Sequence, residues 1–183
     1  MDTSELEAAY RSVLDLATRG AEDGPGTGPG SPGTGPGSPG TGPGPGVTGG
    51  EDGEAWRPDD VLAHLILNDR LLARAVRSVL DGTVQPYDNL DAIELAELQA
   101  LTRDLGDTAG LIGGLEASSR ELVELAGRLD EAQGATPVPV RILDGDQLRV
   151  DGPLPVASLL NIQARRHLPI HQAQLSELLR PPP

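Results

Sequence analysis

Residues 58–80, PDDVLAHLILNDRLLARAVRSVL, decide the fold class. Proline suits the first turn of a helix, where its missing N–H costs nothing, and Asp59 and Asp60 suit the positive end of the helix dipole. Val61, His64, Leu71 and Ala75 fall on one face at helical spacing, so that face belongs in a core. Asp81-Gly82 supplies the stop.

The flanking sequence reads the same way. Residues 4–19 form a first helix, with Ser4 and Glu7 in capping-box spacing, Leu6, Tyr10, Leu14 and Ala17 on one face, and Gly20 as its end. After a loop over 83–90, a long third helix starts behind Asp88 or Asp91 and runs to about Asp130. Leu98, Leu101, Leu105, Ile112, Leu115, Leu122 and Leu129 keep its rhythm, and Gly113-Gly114 is its weak point. PVPVRIL and QLRV flank Asp144-Gly145, a strong hairpin signal, and a last helix runs from about Pro155 to Leu179. The expected architecture is all-α: four helices in one domain over residues 4–180, with a small β-hairpin before the last.

Composition supports this. The 183 residues include no Phe, one Trp and two Tyr, so Leu, Val, Ile and Ala must fill the core, and Leu and Ala favour helices. Twenty-eight acids face fourteen bases, all arginine, for a net charge of −14. Such a surface repels phosphate backbones and anionic membranes, so neither nucleic acid nor membrane is an expected partner. No apolar run reaches membrane-span length, and MDTSELEAAY is too acidic and polar for a signal peptide, which makes the cytoplasm the expected location. Without Cys, disulfides, thiolate metal sites and Cys nucleophiles are excluded. From Gly24 to Gly46 the chain is Gly, Pro, Ser and Thr, with TGPGSPG at 27 and 34 and TGPGPG at 41. Glycine at every third position is lacking, so this is not collagen, and residues 21–54 are expected to be a disordered insertion: a tether, or a neutral expansion of a surface loop.

The chemistry gathers on the three histidines. His167 and His171 lie four apart, hence about 40° round and one turn apart on one helix face. Leu160, Ala164 and Leu178 share that face, so both imidazoles point inward, as His64 does from the second helix. Such a set can hold one divalent metal ion, or three hydrogen-bonded core residues. Asn68, one turn beyond His64, is a candidate for orienting a water, or a polar residue at the core edge. Arg165 and Arg166 flank the pair and can hold a substrate carboxylate, or be solvated helix charges. Trp56 reads as a packing anchor ahead of the second helix. Pro169 removes the amide that would bond to the Arg165 carbonyl and is expected to kink the last helix.

WRPDDVLAHLILND resembles the second-helix signature of the DinB/YfiT-like superfamily, and RRHLPIHQAQL resembles its last-helix HxxxH segment. The resemblance covers the order of elements from residue 4 to 180, with specific motifs only in these two stretches. It implies an up-down-down-up four-helix bundle, with a nickel or zinc ion held by His64, His167 and His171, and a homodimer. Relatives with activity are thiol-dependent isomerases and S-transferases using mycothiol, bacillithiol or glutathione; many members have no known activity. The Gly/Pro insertion and Pro169 depart from the family pattern. Three protein ligands leave coordination positions open, where a water or thiol would be acidified. Two functions are therefore expected: a metal-dependent thiol S-transferase, isomerase or hydrolase acting on a small molecule, or a non-catalytic interaction protein whose metal site is structural or vestigial.

Overall fold

The computed structural model describes residues 2–23 and 56–180. Residues 24–54 of the expected disordered insertion lie outside that range, and residues 21–23 belong to the first helix. The chain is mostly helical with a small three-stranded sheet.

Helix α1 (Ser4–Asp23) buries Leu6, Tyr10, Val13 and Ala17. Its first turn is tied by Thr3, whose hydroxyl donates to the Glu7 carboxylate at 2.6 Å, one residue before the expected cap. The helix does not stop at Gly20. A Cβ there would lie 2.5 Å from Leu179 Cδ1, so this glycine lets Leu179 pack against α1. Helix α2 (Pro58–Leu80) starts and stops as its sequence indicates: the Asp60 carboxylate accepts the Arg57 backbone N–H at 2.8 Å, and Gly82 leaves the helix at φ 72.

The expected single third helix is instead three. The loop assigned to 83–90 contains a short strand, β1 (Tyr87–Asp88), and α3 (Leu90–Ile93), α4 (Leu95–Leu105) and α5 (Thr108–Arg128) follow. Glu94, extended at φ −74 and ψ 120, separates the first two. Gly106, at φ 94, separates the next two, and the Asp107 side chain caps α5 by accepting the Gly110 N–H at 2.8 Å. Gly113-Gly114 does not break α5. A Cβ on Gly114 would stand 2.9 Å from Leu105 Cδ1 and 3.1 Å from Ile66 Cδ1, so the glycine serves the close approach of α5 to α2 and α4.

After α6 (Glu131–Gly134), strands β2 (Pro137–Asp144) and β3 (Gln147–Pro155) pair antiparallel, with Asp144 opposite Gln147 and Gly145 at φ 55 in the turn. The expected hairpin is thus present, and β1 joins it in parallel through Tyr87 opposite Val140. The last helical stretch comprises α7 (Val156–Ile162), a π-helical turn (Gln163–His167) and α8 (Leu168–Leu178). Where Pro169 was expected to kink an α-helix, the helix instead widens into the π-turn just upstream of it, and Pro169 sits in the first turn of α8, where its missing N–H costs little.

Helices α1, α2, α5 and α7–α8 share one aliphatic core, in which Val13, Leu62, Leu65, Leu111, Leu122 and Leu160 are buried. Leu178, expected to point inward with Leu160 and Ala164, is exposed at the end of α8. Among the described residues no helix is long and apolar enough to cross a membrane.

Candidate metal centre

His64 lies in the first half of α2, on the buried face with Val61, Leu71 and Ala75. Its Nδ1 is 2.6 Å from the carbonyl oxygen of Ala92. That oxygen is available because α3 ends at Ile93: the last carbonyls of a helix have no partner within it. A carbonyl only accepts, so Nδ1 carries the proton and the lone pair sits on Nε2. His171, buried on α8, is arranged alike. Its Nδ1 is 2.8 Å from Gln174 Oε1, which again leaves Nε2 as the free donor atom. His167 closes the π-turn and brings its Nε2 to 2.9 Å from His64 Nε2. Its Nδ1 is buried without a hydrogen-bond partner.

The three rings therefore converge, with centroids 4.5 to 5.0 Å apart. One nitrogen from each falls within 4.8 Å of the others. Nitrogens bound at about 2.0–2.1 Å to one tetrahedral ion sit about 3.3 Å apart, between the 2.9 Å of the His64–His167 pair and the 4.8 Å that bounds the whole set. Three imidazoles with two tautomers already fixed for Nε2 ligation fit a divalent ion. Trp56 lies against the cluster, its ring 4.9 Å from His64 and nearly parallel to His171 at 6.2 Å. Its indole Nε1 is also buried without a partner.

The electrostatics favour lone pairs over protons. Burial pushes His64 down to about 3, with His171 adding to the shift and the Ala92 bond opposing it. Burial likewise lowers His167 well below its ordinary value, helped by His171 and His64. His171 is also lowered by burial, against the opposing pull of Gln174 and of the Asp144 charge. All three are neutral at pH 7, the state a metal requires.

The remaining sequence candidates are placed differently. Asn68 is buried one turn from His64, and both ends of its amide are engaged: Nδ2 donates to Gln163 Oε1 at 2.9 Å, and Oδ1 accepts the Tyr87 hydroxyl. Arg165 is exposed and grips Glu5 of α1 through two bonds of 2.6 and 3.0 Å. Arg166 is exposed beside it. Among the described residues, neither arginine forms a hydrogen bond or ion pair with the triad.

The sequence reading passed over Ala92, Gln174 and the polar group behind the triad. Gln174 had a local signal in its i, i+3 spacing from His171. Ala92 had none, because only a backbone oxygen is used. Comparison with family models, curated proteins and solved structures returned no match for this chain.

Proposed function

We propose that this chain is a divalent-metal protein with a DinB-like four-helix-bundle topology, in which His64, His167 and His171 are the ligands of a zinc or nickel ion. In this reading it is a metal-dependent thiol S-transferase, isomerase or hydrolase acting on a small molecule in the cytoplasm, as a homodimer. The observation that carries it is the convergence of three neutral imidazoles, His64 and His171 buried and His167 half-buried, with two of them preset by Ala92 O and Gln174 Oε1.

Each residue's part follows from its surroundings. The Ala92 carbonyl and the Gln174 amide hold protons on Nδ1 of His64 and His171, so that Nε2 faces the centre. Trp56 keeps water from the imidazoles on its side. A divalent ion held by three protein ligands supplies Lewis-acid chemistry, lowering the pKa of a water or thiol at an open position. The chain has no Cys, so a thiol nucleophile must come from a small molecule.

Burial favours a second reading. His64, His171 and Trp56 are only 3%, 2% and 4% exposed, which suits a structural ion in a non-catalytic protein. Cobalt substitution separates the two. A catalytic centre is expected to develop thiolate-to-cobalt charge-transfer bands in the near ultraviolet with mycothiol, bacillithiol or glutathione, and to lose them in His64→Ala. A cobalt spectrum indifferent to every thiol supports the structural ion instead.

A further inference from the structure

Behind the histidines lies a second buried polar cluster, centred on the carboxamide of Gln163. Its Nε2 donates to Asp69 Oδ1 and to the Tyr10 hydroxyl oxygen, both at 3.1 Å, and its Oε1 accepts from Asn68 Nδ2 at 2.9 Å. Asp69 also accepts from the Tyr10 hydroxyl and from Ser118 Oγ, the latter at 2.9 Å. Asn68 in turn accepts from Tyr87. One amide from the last helical stretch thereby meets α1 through Tyr10 and α2 through Asn68 and Asp69. Ser118 on α5 and Tyr87 in β1 extend the same cluster.

Gln163 is also the first residue of the π-turn, and its carbonyl accepts the Leu168 N–H five residues on. A π-turn is rare within a helix and is commonly found at functional sites. A buried amide costs free energy unless its bonds are made, and here every bond fixes the residue that opens the turn. His167, whose Nε2 reaches His64, is the residue that closes it.

We propose that Gln163 is the positioning residue of the metal centre: its buried amide, held by Asp69 and Asn68, fixes the π-turn that aims His167 at His64. The metal arm of this inference rests on the function proposed above; its backbone arm does not. A proline-imposed turn is the rival cause, since Pro169 lies two residues past its end.

The test pairs two readouts on the full chain. One is hydrogen exchange at the Leu168 amide, relative to amides in α7, measured without metal. The other is cobalt(II) affinity, with the visible d–d spectrum as its signature. Gln163→Leu is expected to raise Leu168 exchange at least about tenfold and to weaken cobalt binding about 10- to 100-fold, as loss of supporting hydrogen bonds around metal ligands does. Gln163→Glu sets two carboxyl groups against each other and should act in the same direction. Adding Asp69→Asn to Gln163→Glu exchanges amide and carboxylate and should restore both readouts to within about threefold. That exchange keeps the inference testable if Gln163→Leu does not fold. Pro169→Ala should leave Leu168 protected. The inference is overturned by unchanged exchange in Gln163→Glu, by a double variant that recovers neither readout, or by loss of Leu168 protection in Pro169→Ala alone. A wild-type chain that binds no cobalt defeats the metal reading, while Leu168 exchange still decides whether Gln163 holds the turn.

Discussion

Acidifying the metal-free protein from pH 7.5 to pH 5.0 sets the histidines against Asp69, and the two contributions have opposite signs. Each histidine is held below its ordinary value, so the unfolded chain binds more protons; the stability is complete above the unfolded value of 6.5 and is lost as pH falls below it. At pH 5.0 the unfolded imidazole lies 1.5 units above the solution pH and His64, at about 3, stays neutral, which costs about 2 kcal/mol. Asp69 runs the other way. Burial raises it from 3.8 to about 7 despite donors from Tyr10, Ser118 and Gln163, so its contribution is greatest in acid and disappears as pH rises through 7. Over the same interval it adds about 2–3 kcal/mol on acidification. His64 and Asp69 oppose each other, and His167 and His171, both lowered, add to the side of His64. The wild-type chain is therefore expected to lose stability between pH 7.5 and 5.0, and Asp69→Asn to lose about 2–3 kcal/mol more over that range. Urea unfolding followed by circular dichroism, with chelator present, measures both. Parallel pH profiles for wild type and Asp69→Asn would refute the protonated Asp69, and a wild type that gains stability in acid would refute the neutral triad.

Adjacent glycines in α5 should respond differently to alanine. Gly113→Ala meets no atom within 4 Å and should stabilise by up to about 1 kcal/mol through helix propensity, whereas Gly114→Ala pushes into Leu105 and Ile66 and should destabilise by about 1–3 kcal/mol. Thermal unfolding of the two variants checks the contrast, and equal shifts would contradict it. Residues 25–46 carry only Gly, Pro, Ser and Thr, so deleting them should leave the thermal midpoint and metal content unchanged; a large fall in either would show that the segment packs on the fold.

How much was legible depended on how local each signal is. Helix α2 was legible in full because Pro58, the aspartates after it and Gly82 act on the backbone beside them. The pairing of His167 with His171 was legible in their i, i+4 spacing, whereas their meeting with His64 is a contact between distant helices. The break at Gly106 had its own signal, a glycine followed by the capping residue Asp107, but the leucine rhythm runs through it unchanged. Gly113-Gly114 looked weaker in sequence, yet Gly114 is held by Ile66 on another helix. Tyr87 joins a strand only because Val140 arrives from far along the chain. Pro169 marked an irregularity close to the π-turn, but Gln163, which opens that turn, is held by Asp69, Asn68 and Tyr10, contacts that no local pattern encodes.

The central claim, that His64, His167 and His171 together hold one divalent ion, is tested most directly by metal stoichiometry. The protein should be purified without a histidine tag, dialysed against zinc and analysed for bound metal beside His64→Ala, His167→Ala and His171→Ala. Three converging nitrogens predict about one ion per wild-type chain and a large loss in each variant. Full stoichiometry retained in His167→Ala, or no metal in a folded wild type, would contradict it.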